Sequence, residues 1–194
     1  MTTALVTCGA LGREVKEIVD RRRWEVDIHG LPAMLHLYPD RIVEELRGKL
    51  RALRPRYERI VVVYGDCGTA GRLDPVLAEA GAQRVPGPHC YEMFAGEKLF
   101  EQVTSEQPAT FFLTDWLVRN FERAVIRGLG LDRYPDLKGM LFANYQALLY
   151  LRQIPNPRLA EKAAEIAAYL ELPLEIREAG LGELETRLAE LVEA

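Results

Sequence analysis

The regular alternation of short apolar runs with longer amphipathic runs constrains the fold of this chain more than any other feature. Residues 59–65, RIVVVYG, form a continuous apolar run typical of a strand buried on both faces of a parallel sheet. Residues 39–53, just before it, have the apolar spacing of a helix that covers such a sheet. This order predicts an α/β fold of three layers, with a mostly parallel sheet and helices on both faces.

The alternation continues to the end of the chain. Strands are predicted at residues 3–8, 24–32, 59–65, 82–87, 109–115, 147–153 and 173–180. Helices are predicted at residues 11–22, 39–53, 71–81, 90–107 and 116–130, in a segment ending near 143, and at 156–172 and 181–194. With 194 residues and no repeat or break in composition, we expect a single domain over 1–194, built on one sheet of five to seven strands.

The composition excludes several classes of protein. The net charge of -4 argues against a nucleic-acid partner, which would need a concentrated positive field. No apolar run approaches the roughly 20 residues of a membrane-spanning helix, and residues 1–17 lack the features of a signal peptide. We therefore expect a cytoplasmic protein that binds a small molecule. The amphipathic run at 181–194 could form a homo-oligomer face, although packing on the protein's own core is the simpler interpretation.

Each of the three cysteines follows a predicted strand. Cys8 ends the first strand, Cys67 follows the third, and Cys90 follows the fourth. Because the carboxyl ends of parallel strands meet at one edge of a sheet, all three thiols are predicted to lie at that edge. Gly9 and Gly68 stand beside two of them and allow tight turns and close backbone approach, so we count them with the cofactor-binding residues.

Thiolates gathered on turns are soft ligands that suit zinc or an iron-sulfur cluster such as [4Fe-4S]. Three protein ligands would leave one position of the metal open to a substrate, and in the case of zinc, water or His89 could be the fourth ligand. We also expect the helix starts behind Cys8 and Cys90 to lower the pKa of both thiols. The spacing leaves two alternatives open: ordinary buried thiols, or a redox pair. His36 is interpreted as a surface or capping residue whose replacement should leave the metal bound.

Polar residues near the same predicted edge supply candidates for catalysis. Asp66, His89 and Glu92 could move protons, and Arg13 could hold an acidic group of a substrate. Each has a simpler alternative: Asp66 suits a turn, and Arg13 suits an exposed surface. Asp115 is a further carboxylate near a strand end, where it could equally cap the next helix.

Five separated blocks of the sequence together resemble one family, the DUF1638 proteins. The blocks are TCGALGREV, VVVYGDCGTAG, HCYEMFAGE, FFLTDWLVRNFERAVIRGLGLDRYPDL and FANYQALLYLRQ. The resemblance covers nearly the whole chain and implies a small, Rossmann-like α/β protein in which all three cysteine blocks recur. It therefore strengthens the prediction of a shared site at Cys8, Cys67 and Cys90. It also implies an association with corrinoid-dependent methyl transfer, and hence a corrinoid or methyltransferase partner.

Two functions from different classes follow. The first is a metal-dependent lyase or transferase, in which the three cysteines hold the metal and a small molecule binds at its open position. The second is a non-catalytic carrier or accessory protein that delivers a metal to a partner enzyme.

Overall fold

The structure, a computed structural model, describes residues 2–194 as two parallel sheets surrounded by helices. The strands are β1 Thr3–Cys8, β2 Val26–Leu31, β3 Arg59–Val63, β4 Gln83–Arg84, β5 Thr110–Thr114, β6 Ala147–Arg152 and β7 Leu174–Glu178. The helices are α1 Gly12–Arg22, α2 Pro39–Leu53, α3 Leu73–Ala80, α4 Cys90–Ala95, α5 Glu97–Glu106, α6 Asp115–Phe121, α7 Leu137–Phe142, α8 Pro157–Leu170 and α9 Leu184–Val192. A short 3-10 helix spans Ala33–Leu37, and a π-helical segment, Glu122–Arg127, continues α6.

The chain divides into two compact units, and the first comprises the residues up to Cys90 together with Glu183–Ala194. Its four-stranded sheet has the order β2-β1-β3-β4, and every pair is parallel. The central strands β1 and β3 are apolar on both faces, so Leu5, Val6, Val61 and Val62 are completely buried. The alternating pattern expected of a half-exposed strand is absent from both because helices cover the two faces.

Helices lie on both faces of this first sheet. The chain runs from β1 to β2 in one direction and then returns past β1 to β3, so right-handed crossovers place α1 and α2 on opposite faces. Arg21 and Arg22 of α1 form ion pairs with Glu185 of α9, which places these two helices side by side. Helix α2 packs against α3. The first unit thus has the three layers that the sequence predicts.

The second unit, Tyr91–Gly182, contains the parallel sheet β5-β6-β7. Consecutive residues of β5 point to opposite faces. Phe111 packs edge-on against Phe142 and Tyr145 on one face, while Phe112 stacks on Tyr91 of α4 on the other. Both faces of the second sheet are therefore covered.

The predicted α/β class with parallel strands is confirmed, but the prediction of one continuous sheet is wrong. Strand β4 has only two residues because Pro86 and Pro88 follow closely, and proline has no N–H to extend the pairing. The helix predicted at 90–107 is broken at Gly96, where φ is 78°. Two compact units can belong to one domain, so the single domain over 1–194 stays a prediction. None of the helices among residues 2–194 is long and apolar enough to span a bilayer.

Candidate functional site

The candidate site lies at the carboxyl edge of the first sheet, where the strand order reverses. Chain connections leave β1 and β3 in opposite directions, and in open parallel sheets ligands bind at this kind of switch point. Cys8 ends β1, and Cys67 lies in the loop after β3. Cys90 follows β4, while His36 lies in the 3-10 helix after β2. The loops after all four strands of this sheet thus each contribute a sulfur or an imidazole to one edge.

Two glycines allow these loops to approach one another. A Cβ atom on Gly9 would lie 2.8 Å from the carbonyl oxygen of Leu31, which already accepts a 2.8 Å hydrogen bond from the Gly9 N–H. A Cβ atom on Gly65 would lie 2.4 Å from Cα of His89. These contacts bring the β1 loop onto the β2 loop and the β3 loop onto the segment before Cys90. Gly9 thus shapes the edge through its backbone.

The loop after β3 has an unusual backbone at its cysteine. Cys67 has a φ of 47°, in the left-handed region that favours glycine, and its N–H donates to the carbonyl of Pro88 over 3.0 Å. Gly68 follows with a φ of 83° and lies against the ring of Pro39. The backbone therefore presents the Cys67 side chain in a conformation that an L-residue adopts only at a cost.

The three thiols lie within electrostatic range of one another, and the closer convergence that a metal would need stays a prediction. Cys8 is buried, Cys67 and Cys90 are half-buried, and all three are free thiols. Negative charge on Cys8 raises the pKa of Cys67, and negative charge on either raises the pKa of Cys90, which requires the three sulfurs to be near one another. Glu14, a buried acid of α1, adds to the negative potential at Cys8 and Cys90.

The prediction that helix starts lower the thiol pKa values is wrong. Burial raises the pKa of Cys8 from 9.0 to about 11 and that of Cys67 from 9.0 to about 12. It also raises the pKa of Cys90 well above its ordinary value. The N–H of Ala10 donates to the sulfur of Cys8 over 3.3 Å and favours the thiolate, but loss of hydration outweighs this single donor. The thiols of the free protein are therefore protonated at neutral pH.

Two residues of the site, Tyr64 and His36, were not among the candidates predicted from the sequence. Tyr64 is completely buried, and its pKa is raised by burial and then by the charges of Cys8, Cys67 and Cys90, so all three thiols lie within electrostatic range of it. Its hydroxyl lies close to the Cys8 thiol, yet it completes no hydrogen bond within the described part of the chain. The Tyr64 position, three residues before Cys67, was a usable signal, whereas nothing in the sequence pointed to His36.

His36 faces the same thiols. Its ring stacks on Tyr64 with centroids 5.5 Å apart and planes 14° apart, and its Nε2 atom is 4.0 Å from the sulfur of Cys8. Burial lowers the pKa of His36, so the imidazole is neutral. His36 is therefore half-buried rather than on the open surface, whereas its bond to the Ala33 carbonyl agrees with the capping alternative.

A metal can be tested against this donor set. Three thiols and a neutral imidazole are the ligands that zinc and iron-sulfur clusters take, and a buried tyrosine hydroxyl without a complete hydrogen bond is a ready donor to a bound thiolate. In chemical type, the donors fit such a group. Across residues 2–194, however, no three His, Cys, Asp or Glu side chains stand close enough together to hold an ion as they are placed. Binding would require the sulfurs to draw together.

The other predicted residues have different surroundings. Asp66 accepts hydrogen bonds from Thr69 Oγ1 at 2.8 Å, Ala70 N at 3.0 Å and Gly71 N at 2.8 Å. Burial opposes its ionisation, but these donors outweigh burial and lower the pKa of the Asp66 carboxyl. Asp66 therefore stabilises the turn that carries Cys67, which is the structural alternative that the sequence allowed.

Three further predicted residues lie on helices or beside them. Arg13 is exposed on the first turn of α1, and His89 is half-buried with its backbone against Gly65. Glu92 is buried on α4 and belongs to the second unit. Their assignment to catalysis stays a prediction.

Asp115 belongs to a polar cluster at the carboxyl edge of the second sheet. Its carboxylate is completely buried and accepts hydrogen bonds from Tyr150 Oη at 2.6 Å, Gln153 N at 3.1 Å and Arg119 at 3.1 Å. Thr114, rather than Asp115, caps α6 by accepting from Leu117 N. With these three donors, Asp115 ties the ends of β5 and β6 together.

Comparison with known proteins gives one match. The model of the family described as "Protein of unknown function (DUF1638)" matches residues 30–188, most of the chain. No curated protein and no solved structure matches the chain significantly.

Proposed function

Because this chain belongs to the DUF1638 family, whose description states no activity, we propose a function from the geometry of its own site. The protein would bind a metal through the thiolates of Cys8, Cys67 and Cys90. The metal is zinc or the iron of a [4Fe-4S] cluster. One observation carries the proposal, namely that thiols from three separate loops lie within electrostatic range of one buried tyrosine at the switch point of a parallel sheet.

Two local costs favour a functional site over ordinary packing of buried thiols. The left-handed backbone of Cys67 costs roughly 1–2 kcal/mol, which glycine at this position would avoid. The buried Tyr64 hydroxyl without a complete hydrogen bond costs about 1–3 kcal/mol. Such costs persist where they serve a function, and a metal-bound thiolate would supply the acceptor that the hydroxyl lacks.

The bound metal would act as a Lewis acid that lowers the pKa of a thiol or other group of a small substrate. Tyr64 would donate to a thiolate sulfur and orient it. Arg13, which is exposed, would attract an acidic group of the substrate, while His89 would exchange protons. An enzyme of this kind, a lyase or transferase, could serve the corrinoid-dependent methyl transfer that the family resemblance implies.

A metal carrier remains the second candidate because Cys67 and Cys90 are only partly buried. Partial exposure would let the thiols of a partner replace these ligands one at a time. Release of the metal to an acceptor protein, without turnover of any small molecule, would favour the carrier over the enzyme.

The test is the metal and sulfide content of protein purified without oxygen, compared with the variants Cys8→Ser, Cys67→Ser and Cys90→Ser. His29→Gln is the control, because His29 bonds with Tyr57 away from the thiols. We expect each serine variant to lose most of the metal and the control to keep it. A protein without metal, or one whose metal survives all three substitutions, would contradict the proposal.

A further inference from the structure

The geometry points to His36 as the fourth ligand of this metal, an inference that rests on the proposed function. Four protein ligands, three thiolates and one imidazole, make the closed tetrahedral set that zinc takes. We therefore propose a Cys3His zinc site formed by Cys8, Cys67, Cys90 and His36.

The imidazole of His36 is oriented as a metal ligand would be. Nδ1 of His36 is 2.7 Å from the carbonyl oxygen of Ala33, and a carbonyl can only accept a hydrogen bond. The ring proton therefore resides on Nδ1, which leaves the lone pair on Nε2. Nε2 faces the sulfur of Cys8. Histidines that bind metals have this arrangement, with one nitrogen donating to a backbone carbonyl and the other directed at the ion.

The distance between the Cys8 sulfur and Nε2 of His36 is close to that of two zinc ligands. Zinc binds sulfur at about 2.3 Å and nitrogen at about 2.0–2.1 Å, so two such ligands at a tetrahedral angle are about 3.6 Å apart. The observed separation of Cys8 Sγ and His36 Nε2 is 4.0 Å. A movement of about 0.4 Å would therefore bring this pair to the ligand separation required by those bond lengths.

The His36 ring is held in place without a metal. The 3-10 helix provides the Ala33 carbonyl, and Tyr64 stacks on the ring face. Tyr64 also lies within electrostatic range of all three thiols and is closest to that of Cys8. One side chain thus fixes the plane of the imidazole and lies near the sulfurs that would share the ion.

On binding, one Zn²⁺ would enter and the three thiols would release one proton each to solvent, while the imidazole is already neutral. No oxidant or reductant is needed. The resting site would be closed, so a substrate or a partner's thiolate could reach the zinc only by displacing a ligand. His36 is the ligand whose departure removes no charge from the site.

The experiment titrates metal-free protein with Co²⁺, a spectroscopic probe for zinc sites, and then measures zinc affinity by competition with a chelator. Wild type is compared with His36→Gln, His36→Cys and the control His29→Gln. We expect His36→Gln to bind at least 10-fold more weakly, with an altered cobalt spectrum. His36→Cys should recover tight binding as a four-sulfur site, and His29→Gln should match wild type.

Two outcomes separate the inference from the function on which it rests. Wild type that binds neither Co²⁺ nor Zn²⁺ overturns both. Tight binding to wild type with an unchanged spectrum and affinity in His36→Gln overturns only the role of His36. If His36→Gln does not fold, ¹⁵N NMR of wild type decides: the Nε2 resonance must shift when Zn²⁺ is added, and an unmoved resonance contradicts the assignment.

Discussion

At the scale of single residues, the site is marked by side chains held where ordinary packing would not keep them. Cys67 has a backbone that suits glycine, and Tyr64 buries a hydroxyl without completing a hydrogen bond within the described chain. His36 has its ring proton fixed by Ala33, so its lone pair faces a sulfur. Each arrangement costs stability or freedom in the metal-free protein, and each becomes useful when a metal is bound.

Because Cys67 has a left-handed backbone, replacing it with glycine can distinguish a role in metal binding from a role in packing. In Cys67→Gly, relief of backbone strain offsets the loss of the thiol and the greater freedom of the unfolded chain, so we expect the free energy of unfolding without metal to change by less than about 1 kcal/mol. Metal binding should be lost. Urea unfolding in chelator, together with metal analysis, checks both. A loss of several kcal/mol would indicate instead that Cys67 is a packing residue.

The raised thiol pKa values predict how the stability of the metal-free protein depends on pH. Above pH 9 the unfolded thiols lose their protons, whereas the folded Cys8 and Cys67 keep theirs until about pH 11 and about pH 12. Above pH 9 the folded state therefore binds more protons than the unfolded state. The contribution of these thiols to the free energy of unfolding is complete below pH 9 and is lost as the pH rises toward 12. Urea unfolding between pH 8 and pH 11 measures it. The free energy of unfolding of Cys8→Ala should fall less steeply with pH than that of wild type. Equal slopes for the two proteins would refute the prediction.

At the scale of elements, the site depends on loops that touch because their glycines have no side chain. The carboxyl ends of parallel strands placed Cys8, Cys67 and Cys90 at one edge, and this was predictable from the strand order alone. The role of His36 was not predictable, because it depends on the 3-10 helix after β2 and on stacking with Tyr64. Sequence periodicity identifies strands and helices but carries no information on how two loops pack.

The closest of these loop contacts yields a test. Gly65→Ala would place a methyl group 2.4 Å from Cα of His89, so the β3 loop and the segment before Cys90 must separate. We expect a lower melting temperature and at least 10-fold weaker zinc binding, since misplaced supporting groups cost that much. Gly48→Ala is the matched control, because Gly48 lies in α2 with nothing within 4 Å of an added Cβ. That control should raise stability by up to about 1 kcal/mol. Unchanged zinc affinity in Gly65→Ala would contradict this account.

Strand β3 carries the loop of Cys67 from the centre of the sheet. Val62 is completely buried between β1 and β4, so Val62→Asp would bury a carboxylate with no partner, at a cost of several kcal/mol. We expect the variant to be unfolded or insoluble. Thermal unfolding checks this, with Thr2→Asp at an exposed position as control. A soluble Val62→Asp protein with the wild-type melting temperature would show that β3 is not a core strand.

At the scale of the whole molecule, each compact unit has its own parallel sheet. The sequence predicted the strands and helices but not their division, because Pro86 and Pro88 limit β4 to two residues and so end the first sheet. All the proposed ligands belong to the first unit. Metal binding should therefore stabilise that unit, by about 2.7 kcal/mol when free zinc is 100-fold above the dissociation constant.

The central claim, a thiolate-ligated metal at the carboxyl edge of the first sheet, is tested most directly by X-ray absorption spectroscopy of the protein purified without oxygen. The account predicts zinc with three sulfur neighbours at about 2.3 Å and one nitrogen neighbour at about 2.0–2.1 Å. Iron with additional sulfide would keep the thiolate site but replace zinc with a cluster. A metal surrounded only by oxygen and nitrogen, or no bound metal at all, would contradict the account.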